Sequence, residues 1–227
     1  MKPLKQIFAL IDINNCYVSC ERLFQPHLNH RPVVVLSNND GCVVSRSEEA
    51  KQLGIKMAMP FYQVQELIQQ HDVAVFSSNY ALYAEMSRRF NNTIQQFVSA
   101  KDIEIYSIDE TFIELSSYSQ TDLNELAQEI KATLWQWLAL PVCVGIGHSK
   151  TEAKLANHLA KKNSYFNGVC NLLHMDLCSK EALFQHIDVA EVWGVGRKLA
   201  KKLHALKIHS VFDLAISDPE QMQRSEE

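Results

Sequence analysis

The sequence predicts an α+β fold built around an antiparallel sheet. Strand-like and helix-like segments follow one another without the strict alternation that produces a parallel sheet. Two β-rich runs flank Asp109 and Glu110, a pattern typical of two strands joined by a tight turn. Of the 227 residues, 47% are hydrophobic and 21% are charged. This composition supports a buried core and excludes a mainly disordered chain, and 7 Gly, 6 Pro and 6 Cys exclude a collagen-like chain or a disulfide scaffold.

The first third of the chain is predicted to contain strands joined by short helices. Residues 7–13 are apolar apart from Asp12, which predicts a buried strand, and helical spacing follows in NNCYVSCERLF. The β-branched run RPVVVLSNN predicts a second strand, and the turn at residues 39–41 leads into a return strand, CVVSR. A short helix then ends at Gly54, a residue that favours helix C-termini.

The remaining segments alternate between amphipathic helices and short strands. Apolar residues recur at every third or fourth position in 81–98, which predicts a helix. After it, the sequence predicts a strand–turn–strand in IEIYSIDETFIEL, a helix over 122–138, a strand in LPVCVGIG, a helix in SKTEAKLANHLAKK, and a Gly-x-Gly turn between two short helices in VWGVGRKLAKKLHALKI.

The charge is distributed unevenly along the chain. The net charge is −4, which by itself argues mildly against a nucleic-acid-binding protein. Residues 1–144 carry 11 basic and 16 acidic side chains, whereas residues 145–210 carry 10 basic and 5 acidic ones. The last 17 residues carry 1 basic and 5 acidic side chains. A basic block within an acidic chain indicates a local surface for an anionic partner.

Cysteine usage and hydropathy predict a cytoplasmic location. The 6 Cys are irregularly spaced, as expected for reduced thiols. Cys16 and Cys20 are four residues apart, so we interpret them as packing residues on one helix face; a metal site would need a second pair. No run of 18 apolar residues predicts a membrane span, and the apolar stretch before Asp12 is too short for a signal peptide.

Three carboxylates are candidates for metal binding. Asp12 lies at the end of a predicted buried strand, and Asp109 and Glu110 lie at a predicted hairpin turn. A carboxylate in an apolar strand is costly unless it is paired or bound to a metal. Three converging carboxylates would suit Mg²⁺, which prefers oxygen ligands. The alternative is that all three are solvated carboxylates at strand ends and turns, without a chemical role.

Six segments in order make the chain resemble the Y-family translesion DNA polymerases. The stretch NNDGCVVSRSEEAK is most similar to the UmuC-like branch of that family, and the resemblance extends from about residue 7 to about residue 215. The segments are ALIDINNCYVSCE, RPVVVLSNNDGCVVSRSEEAKQLGIKM, FSSNYALYAEMS, IYSIDETF, VGIGHSKTEAKLANHLAKK and VWGVGRKLAKKL.

The resemblance implies a two-metal polymerase site. Asp12, Asp109 and Glu110 match the family's metal-binding carboxylates, and the backbone carbonyl of Ile13 matches a further ligand. The implied cofactor is a pair of Mg²⁺ ions, which would activate the primer 3′-OH and bind the triphosphate. Ser107 belongs to the same motif and is expected to shape the turn.

The resemblance also implies a nucleotide site. Tyr17 matches the aromatic steric gate that blocks a ribose 2′-OH, although the residue pattern alone favours a core tyrosine on an amphipathic helix. Many relatives have a tyrosine where this chain has Glu48, which cannot donate a hydrogen bond to a phosphate when ionised. The UmuC-like branch shares this departure. The implied nucleotide-binding residues are Tyr17, Ser45, Arg46, Lys51 and Lys161, and for each lysine the alternative is an ordinary solvated helix residue.

The basic block matches DNA-binding parts of the family. The segment GVGRKLAKKL resembles a helix-hairpin-helix, which binds phosphates through backbone N–H groups without reading the sequence. An exposed basic helix face is the alternative for any single lysine. The implied DNA-binding residues are Lys150, Lys154, Gly194, Gly196, Arg197 and Lys198, with Lys201 and Lys202 close by in sequence.

The resemblance predicts the domains and the partners. The expected domains are a palm (1–15 and 79–172), small fingers (16–78) and a partial helical thumb with the helix-hairpin-helix (173–227). The family's little finger is expected to be absent, so DNA binding should be weak and synthesis non-processive. The implied partners are primer–template DNA, a deoxynucleoside triphosphate, a processed UmuD dimer and a RecA filament. Nine His residues receive no role, and Trp135, Trp137 and Trp193 are interpreted as packing or docking groups.

Two alternatives to an active polymerase remain open at this stage. A nucleotidyl cyclase shares a two-metal palm, but it would lack the segments at 32–62 and 193–203. A catalytically impaired UmuC-like protein would instead bind DNA or partners in the response to DNA damage. Intact carboxylates favour catalysis, although a recent truncation would leave them unchanged.

Overall fold

The computed structural model describes residues 6–118 and 122–218 and confirms the α+β fold. Strands and helices are distributed along the whole described chain. The strands are β1 (Phe8–Ile13), β2 (Val33–Leu36), β3 (Val43–Arg46), β4 (Ala74–Ser77), β5 (Ile103–Ile105), β6 (Glu110–Glu114), β7 (Val142–Gly147) and β8 (Val169–Asn171). The helices are α1 (Cys16–Phe24), α2 (Glu48–Gln52), α3 (Phe61–Gln70), α4 (Tyr80–Ile94), α5 (Leu123–Leu138), α6 (Lys150–Lys162), α7 (Leu177–Gln185), α8 (Arg197–Ala205) and α9 (Val211–Ile216).

Five strands form a sheet in the order β5-β6-β1-β7-β8. β5 and β6 pair antiparallel, with Ile103 opposite Ile113, as the predicted strand–turn–strand requires. β7 and β8 pair parallel, which the sequence analysis did not predict. β1 is buried along almost its whole length, because its apolar side chains face the core on both sides of the sheet.

Three strands form a second sheet in the order β3-β2-β4. β2 and β3 form the predicted antiparallel pair, with a register shift between Val35 and Leu36. In the turn between them, Asn39 and Asp40 take positive φ values, 62° and 53°, while φ of Gly41 is −74°. β4 pairs parallel to β2, and this pairing was not predicted. The small core of this sheet contains Val34, Leu36, Val43, Ala50, Ile55, Val64 and Val73.

Short polar side chains begin several of the helices. Ser47, Asn79, Asp122 and Ser149 each accept a backbone N–H in the first turn of α2, α4, α5 and α6. Such caps satisfy donors that have no partner within the helix. Asn15 at the start of α1 instead takes a left-handed backbone conformation, with φ 49° and no side-chain cap bond.

By their internal contacts the described residues divide into two compact units. The first unit contains residues 11–113 and 122–143. The second unit contains residues 6–10, 114–118 and 144–218. Each unit draws on separate stretches of the chain.

Close packing in the second unit depends on glycine in β7. A Cβ atom on Gly145 would lie 2.1 Å from the backbone N of Asn157 and 2.3 Å from the carbonyl O of Ala153. α6 therefore packs directly on the backbone of β7. The buried Asn157 also donates its side-chain N–H to the carbonyl of Leu10, at 3.3 Å.

The structure refines two predictions. Trp135 and Trp137 are 59% and 60% exposed, so of the two roles considered for them, packing and docking, the structure excludes packing; the buried face of α5 is formed by Leu123, Ala127, Ile130 and Leu134. The Gly-x-Gly turn at 194–196 precedes α8, as predicted, but a single 3₁₀ turn (Val189–Glu191) comes before it. Within residues 6–118 and 122–218, no helix has both the length and the apolar character needed to cross a bilayer.

Candidate active site

The end of β1 lies beside the turn that carries Asp109. The backbone N–H of Ile13 donates to the carbonyl O of Asp109, at 2.9 Å. Asp12 precedes Ile13 and is only 8% exposed. Two of the predicted carboxylates, 97 positions apart in sequence, therefore belong to backbone segments that are hydrogen-bonded to each other.

The turn itself is organised by the hydroxyl of Ser107. Its Oγ accepts the backbone N–H of Asp109 at 3.3 Å and that of Glu110 at 3.0 Å, and it donates to Asp109 Oδ1 at 2.6 Å. A serine hydroxyl bonded to backbone two or three residues later stabilises a tight turn. This agrees with the turn-shaping role expected of Ser107, and the same hydroxyl also holds the carboxylate of Asp109, which was not predicted.

The thiol of Cys16 is held in its neutral form at the same place. Its hydrogen bond with Cys20 and its burial raise the pKa of Cys16, and the negative charges of Asp109 and Asp12 raise it further. Both aspartates therefore lie close enough to act on one thiol. Cys16 and Cys20 are 6% and 0% exposed, in agreement with a packing role.

The chemistry of the oxygen donors suits Mg²⁺, although the carboxylates are not gathered tightly. The side-chain oxygen Oδ1 of Asn14, two residues after Asp12, is buried and has no hydrogen-bond partner among the described residues. It adds an available oxygen to the carboxylates of this region. Within residues 6–118 and 122–218, however, no three His, Cys, Asp or Glu side chains stand close enough to form a metal-binding group.

Tyr17 belongs to a cluster of three tyrosines. Its ring stacks on that of Tyr83, with centroids 4.2 Å apart and planes 11° apart. Tyr80 meets both rings edge-on, with centroid distances of 6.1 Å. Burial is the main cause that raises the pKa of Tyr17, and the negative charge of Asp109 adds to the rise. Tyr17 is half-buried, so part of its side chain remains accessible to solvent.

The far end of this cluster is anchored by a buried carboxylate. The hydroxyl of Tyr83 donates to Glu21 Oε1, at 2.8 Å. Tyr83 is 0% exposed and Glu21 is 8% exposed. Burial raises the pKa of Tyr83, and the hydrogen bond to Glu21 raises it further, so this hydroxyl remains a donor. The sequence analysis gave Glu21, Tyr80 and Tyr83 no role.

The predicted nucleotide contacts on β3 are tied to nearby backbone. Ser45 Oγ accepts the backbone N–H of Val18 at 3.4 Å, which connects β3 to α1. Arg46 donates through Nη1 to the carbonyl of Ile55, at 3.0 Å. Burial lowers the pKa of Arg46, and its Nε has no partner among the described residues.

Lys51 is engaged by the residue that departs from the family pattern. Its Nζ lies 2.5 Å from Glu48 Oε1, one turn earlier on α2. Asn15 also donates to this carboxylate oxygen, at 3.5 Å. A nucleotide phosphate would therefore have to compete with Glu48 for the ammonium group of Lys51.

The other predicted cations lie in the second unit, on α6. Lys150 Nζ lies over the ring of Phe8, 6.0 Å from its centroid. Lys154 Nζ lies over the ring of Trp193, at 5.5 Å. Lys161 lies in the last turn of α6 and is exposed.

The predicted hairpin forms a compact structure in the second unit. Gly194 has φ 93°, a value that favours glycine, and Gly196 is the N-cap residue of α8 without a side-chain cap bond. The first backbone N–H groups of α8 therefore keep the geometry of an anion-binding helix start. Arg197 and Lys198 are exposed in its first turn. Val189, Leu203 and Ile208 form the core beneath this hairpin.

Two family patterns match the chain. Residues 11–158 match the impB/mucB/samB family. Residues 178–208 match the helix-hairpin-helix motif of the same family, described as the IMS family HHH motif. The first match runs from within β1 to within α6 and includes both predicted carboxylate segments, and the second covers the hairpin.

Several curated proteins are similar in sequence. The chain is 48% identical to protein UmuC of Salmonella typhimurium strain LT2 over 211 residues, which cover 92% of this chain and 49% of that protein. It is 42% identical to protein MucB of Escherichia coli over 213 residues, covering 93% of this chain and 50% of that protein. A DNA polymerase IV of Corynebacterium diphtheriae is 32% identical over 212 residues, which cover 90% of this chain and 44% of that protein. The chain thus spans about half the length of the curated relatives it matches.

Solved structures show the same fold. An insertion ternary complex of Dbh DNA polymerase matches with a TM-score of 0.78 at 22% identity, covering 96% of this chain and 62% of that one. DinB from Sulfolobus solfataricus matches with a TM-score of 0.77, also at 22% identity and with the same coverage. At this level of identity the likeness shows the architecture alone.

Proposed function

The chain belongs to the impB/mucB/samB family, and from this premise we propose that it is the catalytic part of a DNA-dependent DNA polymerase of the translesion type. The observation that carries the proposal is the hydrogen bond from Ile13 N–H to the carbonyl of Asp109. It joins the two backbone segments that hold the expected metal-binding carboxylates. Relatives named DNA polymerase IV add support from sequence.

In this proposal the oxygen donors hold the metal ions. Asp12, Asp109, Glu110 and the backbone carbonyl of Ile13 would bind two Mg²⁺. Bound there, these ions would lower the pKa of a primer 3′-OH and neutralise charge on the triphosphate. The hydrogen bond from Ser107 to Asp109 keeps that carboxylate in one orientation before any ligand arrives. Pre-orientation of this kind reduces the reorganisation needed for nucleotidyl transfer.

Four cationic or polar groups are proposed to bind the incoming nucleotide, with Tyr17 as the steric gate. Arg46 has a buried Nε donor without a partner in the described chain, which supports a role for its guanidinium in phosphate binding. The ammonium group of Lys51 would leave the Glu48 carboxylate and bind a phosphate oxygen of the nucleotide instead. The other proposed nucleotide-binding residues are Ser45 and Lys161.

DNA binding is proposed for the basic surface of the second unit. The exposed start of α8 would bind a phosphate through backbone N–H groups, with Arg197 and Lys198 adding charge. Lys150 and Lys154 on α6 would contact the same DNA backbone, as would the turn glycines Gly194 and Gly196. These contacts are independent of base sequence, as expected of an enzyme that must bind many templates.

The domain boundaries and partners extend the proposal. The separate core of the β3-β2-β4 sheet supports small fingers within 16–78, between palm segments 1–15 and 79–172. The helical hairpin supports a thumb from residue 173 onward. Through its similarity to UmuC, we propose a processed UmuD dimer and a RecA filament as partners in the SOS response.

A second candidate is a catalytically impaired member of the family that binds DNA or partners. Two observations favour it. The carboxylates do not form a three-ligand group in the described residues, and Glu48 forms an ion pair with the ammonium group of Lys51. An active enzyme would have to rearrange both features when substrates bind.

Primer extension distinguishes these candidates. We expect the chain to extend a primed template at low salt with Mg²⁺, adding the templated nucleotide with low processivity, and Asp109→Ala to abolish extension. Glu66→Ala, an exposed change on α3, is the matched control and should extend as the parent does. Binding of primed DNA without extension would favour the impaired form. Full activity of Asp109→Ala would overturn the site assignment.

A further inference from the structure

Two helices hold the ring of Tyr17 between them. α1 carries Tyr17 and Glu21 at positions i and i+4, and α4 carries Tyr80 and Tyr83 at i and i+3. Both spacings place their pairs on one helix face. Stacking on Tyr83 covers one face of the Tyr17 ring, while Tyr80, which is 43% exposed, meets it edge-on.

The position of the Tyr83 side chain is fixed at its hydroxyl end. Its bond to Glu21 is a hydrogen bond to a carboxylate, of a kind that is stronger than one between neutral groups. Both residues are buried, so little water is available to replace either partner. The hydroxyl oxygen lies on the axis about which the Tyr83 ring turns, so the bond fixes where the side chain lies. Movement of Tyr83 away from Glu21 would deprive a buried carboxylate of its donor, which is unfavourable. Glu21 thus fixes the position of Tyr83, and Tyr83 limits the positions open to the ring stacked on it.

We propose that Glu21 and Tyr83 are positioning residues for Tyr17, which fix the position of its ring and thereby set how strictly a ribose is rejected. This inference rests on the proposed function, in which Tyr17 is the steric gate. Neither Glu21 nor Tyr83 contacts the nucleotide; they act through the Tyr17 ring. A gate ring excludes one extra hydroxyl only when its edge is held within a fraction of an ångström, so loss of the anchor relaxes selection for the sugar.

The kinetic test measures the ratio of deoxyribonucleotide to ribonucleotide incorporation, each as kcat/KM. We expect Tyr83→Phe and Glu21→Met to lower this ratio by about tenfold, mainly through a lower KM for the ribonucleotide. Glu21→Gln keeps an oxygen acceptor and should retain a ratio near that of the parent. Tyr62→Phe, on the exposed face of α3, is the matched control and should leave the ratio unchanged.

A second measurement does not depend on catalysis. With 3-fluorotyrosine at position 17, the ¹⁹F resonance should broaden or split in Tyr83→Phe and stay sharp in Glu21→Gln. If Tyr83→Phe folds poorly because Glu21 is left buried and unpaired, the double variant Glu21→Met with Tyr83→Phe removes both polar groups and takes its place.

The two measurements separate the possible failures. A parent that extends no primer contradicts the proposed function, while the ¹⁹F spectra still decide whether the pair positions Tyr17. An unchanged resonance in Tyr83→Phe, or an unchanged sugar ratio in an active protein, would overturn the inference. Equal losses in Glu21→Gln and Glu21→Met would also overturn it, because an acceptor oxygen would then not matter.

Discussion

At the scale of single residues, the turn between β5 and β6 depends on one hydroxyl. Ser107 satisfies two backbone N–H groups and holds the Asp109 carboxylate with the same oxygen. The residue types at this turn could be predicted from sequence, because an Asp–Glu pair between two β-rich runs is informative. The cluster around Tyr17 could not, since Tyr83 lies 66 positions away and only the packing of α4 on α1 brings the rings together.

Replacement of Ser107 should reduce catalysis more than stability. We expect Ser107→Ala to lower the rate of primer extension by about tenfold to a hundredfold, because Asp109 loses its fixed orientation. Ser107→Thr keeps the hydroxyl and should recover most of the rate. Single-nucleotide extension kinetics and thermal melts would check this. Similar losses in both variants would mean that the hydroxyl does not act by orienting Asp109.

At the scale of elements, short-range patterns predicted most strands and helices but missed α3, α7, α9, β4 and β8, and strand pairing was likewise predicted only in part. The β2–β3 and β5–β6 hairpins follow from short turns, which bring neighbouring strands together. The parallel β2–β4 and β7–β8 pairs join strands separated by long segments, and no local pattern encodes such pairing. The exposed Trp135 shows the same limit, because composition alone does not decide which helix face meets the core.

Gly145 is expected to be essential for the contact between β7 and α6. Gly145→Ala would place a methyl group within 2.1 Å of helix backbone, which cannot move aside as a side chain can. We expect a loss of about 3 kcal/mol or more in the free energy of unfolding. Gly41→Ala is the matched control, because its added Cβ would meet only Ser37 Oγ, at 3.7 Å. Chemical denaturation would measure the free energy of unfolding of both variants. Similar losses in the two variants would contradict the close approach of α6 to the backbone of β7.

The pair of Glu152 and Lys180 should make the second unit sensitive to acid. Burial by itself would raise the pKa of Glu152, but the hydrogen bonds from Lys180 and from His148 N–H outweigh it and hold the pKa below the usual 4.5. A carboxyl group that is more acidic in the folded state stabilises it above the unfolded pKa. That contribution is lost as the pH falls through this value toward the lower folded pKa.

Glu152→Gln should therefore lower the melting temperature at pH 7, by an amount equivalent to about 1 kcal/mol. The gap, meaning the difference in melting temperature between variant and parent, should narrow below about pH 4.5. Thermal melts between pH 7 and pH 4 would measure the gap. Glu129→Gln, on the exposed face of α5, is the control and should shift the melting temperature little across this range. A gap that stays constant with pH would contradict the role of the Glu152 charge.

At the scale of the whole molecule, the distribution of charge matters more than its sum. The net charge of −4 combines an acidic region before residue 145, a basic block over residues 145–210 and an acidic stretch over the last 17 residues. Cations along α6 and α8 therefore offer a local positive surface on a chain that is acidic overall. The sequence could predict this surface because charge, unlike packing, is read directly from residue types.

The salt dependence of DNA binding should report this surface. We expect the joint change of Arg197→Ala and Lys198→Ala to weaken binding of primed DNA, and to reduce the slope of log K against log salt by about 1 for each charge removed. Lys131→Ala on α5 is the matched control and should leave the slope unchanged. Fluorescence anisotropy at several salt concentrations would measure it; a slope insensitive to the double change would place the DNA elsewhere.

The division of the chain into two units has a consequence for its synthesis. The first unit needs nothing beyond residue 143, whereas the second unit needs residues 6–10 and 114–118 together with the chain from 144 to 218. On a ribosome, the first unit can complete its contacts while much of the second is still being made. During that interval residues 6–10 can meet residues 114–118, which hydrogen-bond to Ile7, but their contacts with the later chain must wait. One of these is the bond from Asn157 to the carbonyl of Leu10. The half of β1 that belongs to the second unit therefore completes its contacts only after residue 157 has emerged.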